Sequence, residues 1–144
     1  MTRTKQYSKK LRNYSMASIF SKIVSGEIPC FKIAENDDFL AFLDVFPITK
    51  GHTLVIPKKE IDYIFDLDDD LYTRLFLFAK SIVPALEKTV ECKRIGVSVI
   101  GLEVPHAHIH LLPLNSMDDA DFTQKINVSG EELQKLAEEI RTNL

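Results

Sequence analysis

Pro105-His106-Ala107-His108-Ile109-His110-Leu111-Leu112-Pro113 alternates imidazoles with apolar side chains, bounded by proline at both ends. On an extended strand alternate side chains share a face, so His106, His108 and His110 form a row while Ala107, Ile109 and Leu111 turn into a core. The rings would then stand about 6.5 to 7 Å apart along the chain. A helix would scatter the same residues around its axis. The stretch therefore reads as a strand of a sheet with one apolar face, which needs helices or a second sheet to cover it.

Working outward, Ile95 to Ile100 is a β-branched run that supplies a neighbouring strand. Upstream, Phe31 to Glu35 and Phe39 to Leu43 flank the turn-forming Asn36-Asp37-Asp38, and Thr53 to Ile56 adds another apolar run. Leu71, Leu75, Phe78, Ile82 and Leu86 follow at spacings of four and three, one stripe of a helix from the acidic Asp66–Asp70 cluster to about Thr89. Pro84 lies inside it and predicts a kink. Ser18 caps a short helix over Ile19 to Ser25, ended by Gly26, and Ser129-Gly130-Glu131-Glu132 reads as a capping box that opens a C-terminal helix. The order α, β, β, β, α, β, β, α with short connections predicts an α+β fold, a five-stranded antiparallel sheet with flanking helices.

The 144 residues fit one domain, with 45% hydrophobic and 27% charged residues, the balance of a globular chain with a core. No run approaches the roughly 18 apolar residues of a membrane-spanning helix, and residues 1 to 15 hold no apolar signal core. Two cysteines, Cys30 and Cys92, support neither a disulfide framework nor a cysteine-rich metal site, so a reducing cytoplasm is the expected compartment. Residues 1 to 15 carry five cations and no acid, leaving 13 cations against 21 acids in the rest. That acidity argues against a nucleic-acid partner, and no membrane is expected. Residues 1–16 read as a flexible basic extension and 17–144 as a single domain; Met16-Ala17-Ser18 resembles an alternative start.

Imidazole offers a lone pair when neutral and two donors when charged. A central ring held in one tautomer can attack phosphorus while its neighbours donate to phosphoryl oxygens. His-x-His on a strand is equally a metal pair, with His52 as a third ligand. A histidine row without a role is the remaining reading. Spacing alone leaves all three open.

Further segments accompany the row. Ser18-Ile19-Phe20-Ser21-Lys22-Ile23-Val24-Ser25-Gly26-Glu27-Ile28-Pro29, Phe39-Leu40-Ala41-Phe42-Leu43-Asp44-Val45-Phe46-Pro47 and Lys50-Gly51-His52-Thr53-Leu54-Val55-Ile56-Pro57-Lys58 precede it in that order. With His106-Ala107-His108-Ile109-His110-Leu111-Leu112 they resemble the histidine triad (HIT) family, its Hint branch in particular, over about residues 17 to 113. The resemblance implies that His108 is a nucleophile forming a nucleotidyl-histidine intermediate with an α-phosphate. It implies that His106 and His110 orient it and bind phosphoryl oxygens, with His52 nearby. Asp44 would accept the ribose hydroxyls, and Ile19, Phe20, Ile23, Phe42, Leu43 and Val45 would line a purine pocket. A homodimer and a purine nucleotide ligand follow from the same resemblance; no cofactor is expected, and no metal is needed if imidazolium donors supply the electrostatic stabilisation. The reading is of a phosphoramidase or related nucleotide hydrolase. Its rivals are a metal-dependent phosphohydrolase and a non-catalytic nucleotide-binding regulator.

The chain departs from the family just before the row. Gly101-Leu102-Glu103-Val104-Pro105 is short, and Glu103 stands where a hydroxyl often contacts the leaving group. A carboxylate there repels a departing polyphosphate and tolerates an amine that leaves protonated. A structural Glu103, paired with a backbone N–H, is the alternative.

Overall fold

The computed structural model describes residues 17–144; the expected basic extension and the start at Met16 lie outside the described residues. Helix α1 (Ile19–Val24) is followed by β1 (Lys32–Glu35), β2 (Phe39–Leu43) and β3 (Thr53–Pro57). Helix α2 (Asp69–Thr89) leads to β4 (Arg94–Ser98) and β5 (Ile109–Leu114), and α3 (Gly130–Thr142) ends the chain. Single 3₁₀ turns lie at Ile64–Asp66 and Met117–Ala120. The sheet is antiparallel throughout, in the order β1-β2-β3-β5-β4. The expected α+β fold is the observed one.

Local chemistry accounts for the element ends. Ser18 Oγ accepts the Ser21 N–H to cap α1, and Asp68 accepts the Leu71 N–H to cap α2. Helix α2 runs on through Pro84. At α3, Ser129 accepts the Glu132 N–H, whereas the reciprocal capping box forms at Ser116 and Asp119 of the second 3₁₀ turn. Strand β5 starts at Ile109, three residues later than expected, because His106 N–H turns back to the Val104 carbonyl and Ala107 N–H to the Ile61 carbonyl. His106 and His108 therefore stand on an irregular lead-in rather than on the strand. Pro113 is tolerated at the far end because β3 pairs with β5 only as far as Thr53↔Leu111.

The sheet is apolar on both faces. Phe39, Ala41, Leu43, Val55, Ala107, Ile109 and Leu111 join Leu75, Ile82 and Leu86 of α2 and Leu133, Leu136 and Ile140 of α3 in the main core. The alternate residues Leu40, Phe42, Leu54 and Ile56 meet Phe20 of α1 on the opposite face. His110 is paired with Leu54 and Ser98, so the histidines share the α1 side. Gly51, at φ +87°, makes the turn that delivers His52; a Cβ there would lie 2.9 Å from Val90 Cγ2. Among the described residues no helix is long and apolar enough to cross a membrane.

Candidate functional site

All four histidines converge, and each is buried: His52, His106, His108 and His110 are 1%, 0%, 6% and 7% exposed. Their hydrogen bonds determine where each proton sits. The Ile48 N–H donates to His52 Nδ1 at 3.2 Å, so the His52 proton is on Nε2. That Nε2–H lies 2.9 Å from His110 Nδ1, which must accept it, so His110 carries its own proton on Nε2. His108 Nδ1 is 2.7 Å from the His106 carbonyl oxygen; a carbonyl only accepts, so Nδ1 is protonated and the His108 Nε2 lone pair is free. Among the described residues neither the His108 Nε2 nor the His110 Nε2 has a hydrogen-bond partner, and neither is among the fully buried side-chain atoms left without one.

The product is an acceptor and a donor side by side. The His108 and His110 rings stand 4.9 Å apart between centroids and edge-on to each other, closer than the 6.5 to 7 Å expected from strand rise, because His108 lies before the strand begins. Phe20 packs edge-on against His108 at 5.1 Å and Phe122 against His110 at 4.9 Å. His108 also lines a cleft of about 470 Å³ with Asp62, Tyr63, Phe65, Ile100 and Leu102. The ring expected to act is thus held by the interior and opens onto a cleft.

Electrostatics keep the rings neutral. Burial pushes His52 and His110 down to about 3, with further lowering from Lys125 on His52 and from His108 on His110. Burial likewise lowers His106 and His108; the carboxylates of Asp44, Glu103 and Asp62 oppose the shift at His108. The expectation of imidazolium donors is corrected on this point: near neutral pH the donor is the N–H of a neutral ring. The 3.6 Å approach of His52 Nε2 to Asp44 Oδ2 is accordingly not an ion pair.

His106 is a second correction. Its Nε2–H donates to the Pro57 carbonyl at 2.8 Å and its Nδ1 lies 2.9 Å from Ser18 Oγ. Both ring nitrogens are engaged, so no donor remains for a phosphoryl oxygen; what His106 offers His108 is its backbone carbonyl.

Asp44 is half-buried at the end of β2, its Oδ1 accepting the Phe46 N–H at 2.8 Å and its Oδ2 facing His52. Phe20, Ile23 and Phe42 share one apolar cluster. Ile19 and Val45, 50% and 49% exposed, leave apolar surface uncovered. Leu43 is a third correction: the strand alternation that puts Phe42 on the α1 face turns Leu43 into the opposite core, so its side chain does not line that cluster. Glu103 is exposed, in the loop before the triad, with no hydrogen-bond partner among the described residues; the alternative that it pairs with a backbone N–H is not what is seen.

Asp44, His52 and His110 offer ligand atoms within 4.8 Å of one another, a group that holds His52 and one triad histidine but not the His-x-His pair of the metal reading. The proton positions oppose it. A metal on His52 Nε2 needs that nitrogen unprotonated, yet the Ile48 N–H holds the proton there. The donor set therefore does not fit a resident divalent ion without breaking this bond.

Phe122, Glu60 and the Ile48 N–H were invisible to motif reasoning, and Ser18 was visible only as a helix cap, not as a partner of His106. The acidic stretch around Met117–Asp121 gave no sign that Phe122 behind it would reach His52 and His110.

A family model described as HIT domain matches residues 25–117. An uncharacterized HIT-like protein of Borreliella burgdorferi is 35% identical over 88% of this chain and 97% of its own. An adenosine 5'-monophosphoramidase of Schizosaccharomyces pombe is 32% identical over 90% of this chain and 99% of its own. Among solved structures, a Hit-like protein involved in cell-cycle regulation from Bartonella henselae superposes with a TM-score of 0.77 at 31% identity, over 88% of this chain and 96% of that one.

Proposed function

The chain belongs to the HIT domain family, and from that premise we propose that it is a purine nucleotide-binding hydrolase that cleaves nucleoside phosphoramidates, or related nucleotide conjugates, at the α-phosphorus. The observation that carries the reading is the hydrogen bond from His108 Nδ1–H to the His106 carbonyl, which leaves the Nε2 lone pair free beside a neutral N–H donor on His110.

In the first step His108 Nε2 bonds to phosphorus and the bond from phosphorus to the leaving nitrogen breaks; the amine departs with the electron pair and takes a proton from solvent. The phosphorylated ring is cationic, and the His106 carbonyl facing its Nδ1–H stabilises that charge. The His110 Nε2–H donates to a non-bridging oxygen where charge accumulates. Water then attacks phosphorus, giving up a proton to solvent, and the phosphorus–Nε2 bond breaks with its electron pair returning to the ring. Nucleoside monophosphate leaves, and the ring is neutral again. Asp44 accepts from the ribose hydroxyls with its remaining lone pairs. Ile19, Phe20, Ile23, Phe42 and Val45 offer apolar surface to a purine. A millisecond-to-second incubation with a labelled nucleoside phosphoramidate, quenched in base, is expected to leave an acid-labile label on His108. A label elsewhere, or hydrolysis without any label, overturns the mechanism.

Glu103 and Asp62 bring negative charge to the cleft beside His108, which suits an amine leaving group better than a polyphosphate. Glu103→Gln is expected to narrow the kcat/KM preference for a phosphoramidate over a diadenosine polyphosphate by about fivefold, the effect of one partly screened charge. An unchanged ratio removes Glu103 from the account.

A homodimer is part of the reading. Strand β4 is a sheet edge, and Val97, Ile100 and Leu102 on and beyond it are 58%, 45% and 88% exposed. Joining two such edges makes one continuous sheet. Sedimentation at twice the 16.4 kDa chain mass is the expected result, and a monomer at micromolar concentration contradicts it.

A further inference from the structure

The His106 side chain sits in a hydrogen-bonded cluster that the reaction above does not use, and proton accounting favours one wiring of it. Pro57 O only accepts, so His106 carries its proton on Nε2 and its buried Nδ1 needs a donor. Two hydroxyls are within reach: Ser18 Oγ at 2.9 Å and Ser21 Oγ at 3.5 Å. The Ser21 hydroxyl is taken by the Glu60 carboxylate at 2.9 Å. Ser18, 7% exposed, has two acceptors in reach of its hydroxyl, His106 Nδ1 at 2.9 Å and Ser21 Oγ at 3.3 Å, and gives its proton to the nearer, while its oxygen accepts the Ser21 N–H. Glu60 also accepts the Ser18 backbone N–H and so ties the start of α1 to the loop after β3.

This matters because His106 and His108 are not on the strand. Ladder hydrogen bonds do not hold the lead-in; β5 begins at Ile109. The carbonyl that orients the nucleophile belongs to His106, and the His106 side chain is anchored by Pro57 on one nitrogen and Ser18 on the other. Phe20, two residues after Ser18 on the same short helix, packs edge-on against both His106 and His108 at 5.8 and 5.1 Å.

We propose that Ser18, supported by Glu60, is a positioning residue for the nucleophile: its hydroxyl locks the His106 tautomer and ring orientation, and through the His106 carbonyl it holds the His108 Nε2 lone pair toward the cleft. The consequence for catalysis rests on the function proposed above; the consequence for the histidine protons does not.

The test uses the full chain with Ser18→Ala, Ser18→Thr and Glu60→Ala, read by nitrogen-15 NMR of the imidazoles and by steady-state hydrolysis of a nucleoside phosphoramidate. Wild type is expected to show His108 as a single Nδ1–H form. Ser18→Ala is expected to mix the His106 tautomers, broaden the His108 Nδ1–H signal and lower kcat about tenfold or more, as loss of an orienting partner does. KM stays near the wild-type value. Thr restores both readouts, because it keeps the hydroxyl and the helix cap. Glu60→Ala moves both in the same direction by a smaller factor. A sharp, unchanged His108 resonance in Ser18→Ala overturns the proposal whatever the rate does. So does a kcat loss that Thr fails to restore, since that marks a helix or packing defect. Should wild type hydrolyse no phosphoramidate, the proposed function fails, and the NMR arm alone decides the positioning role.

Discussion

Replacing His108 by asparagine lowers phosphoramidate turnover by about 10³-fold or more, the usual scale for removing a nucleophile, with little change in the affinity for a purine nucleoside monophosphate. Asparagine is the informative choice. Its side-chain amide can still donate to the His106 carbonyl that now accepts from His108 Nδ1 at 2.7 Å, so the lead-in to β5 keeps its anchor while the Nε2 lone pair is gone. His108→Ala should agree in rate but lose stability as well, because the ring is 6% exposed and packed against Phe20. Isothermal titration with the nucleotide and rapid-quench kinetics give the two readouts. Persisting turnover in the asparagine variant excludes covalent catalysis by this ring. Loss of binding together with turnover would instead make His108 a binding residue, and the regulatory reading of the chain would then gain ground.

How much of this was legible beforehand depends on the range of the signal. Period-two alternation around His108 identified the sheet, and the four-and-three spacing from Leu71 to Leu86 identified α2, because each is a local pattern imposed by one buried face. Boundaries were misplaced where tertiary bonds override the pattern. The strand expected from His106 begins at Ile109, since Ile61 and Val104 carbonyls capture the N–H groups of Ala107 and His106. Leu43 was grouped with Phe42 by motif, although the same alternation puts them on opposite faces. In the site, residue types were readable and protonation was not. A histidine's charge and tautomer depend on partners such as the Ile48 N–H and the Pro57 carbonyl, main-chain groups that every sequence has. Ser18 was legible as a helix cap, but its second partner lies 88 residues away.

Four buried neutral rings also set how the fold responds to acid. His52 and His110 have folded-state values pushed to about 3 by burial, against roughly 6.5 in an unfolded chain. Above pH 6.5 neither state binds the proton and the rings contribute nothing to the pH dependence. As pH falls below 6.5 the unfolded chain takes up protons that the folded protein refuses, so stability drops progressively until the folded rings titrate near 3. At pH 5 the loss is on the order of 2 kcal/mol for each of these two rings, with His106 and His108 acting in the same direction. For a domain of this size that corresponds to a melting temperature about 10 °C lower at pH 5 than at pH 7. Carboxylates, which titrate chiefly below pH 5, contribute little in this window. Calorimetric melts at half-unit steps check the prediction, with His52→Gln as control. That variant has one fewer buried ring and should show a shallower decline between pH 7 and 5, whatever its absolute stability. A melting temperature that stays level over this range means that the histidines titrate normally, and the neutral donor–acceptor pair on which the chemistry of His108 and His110 rests would have to be abandoned.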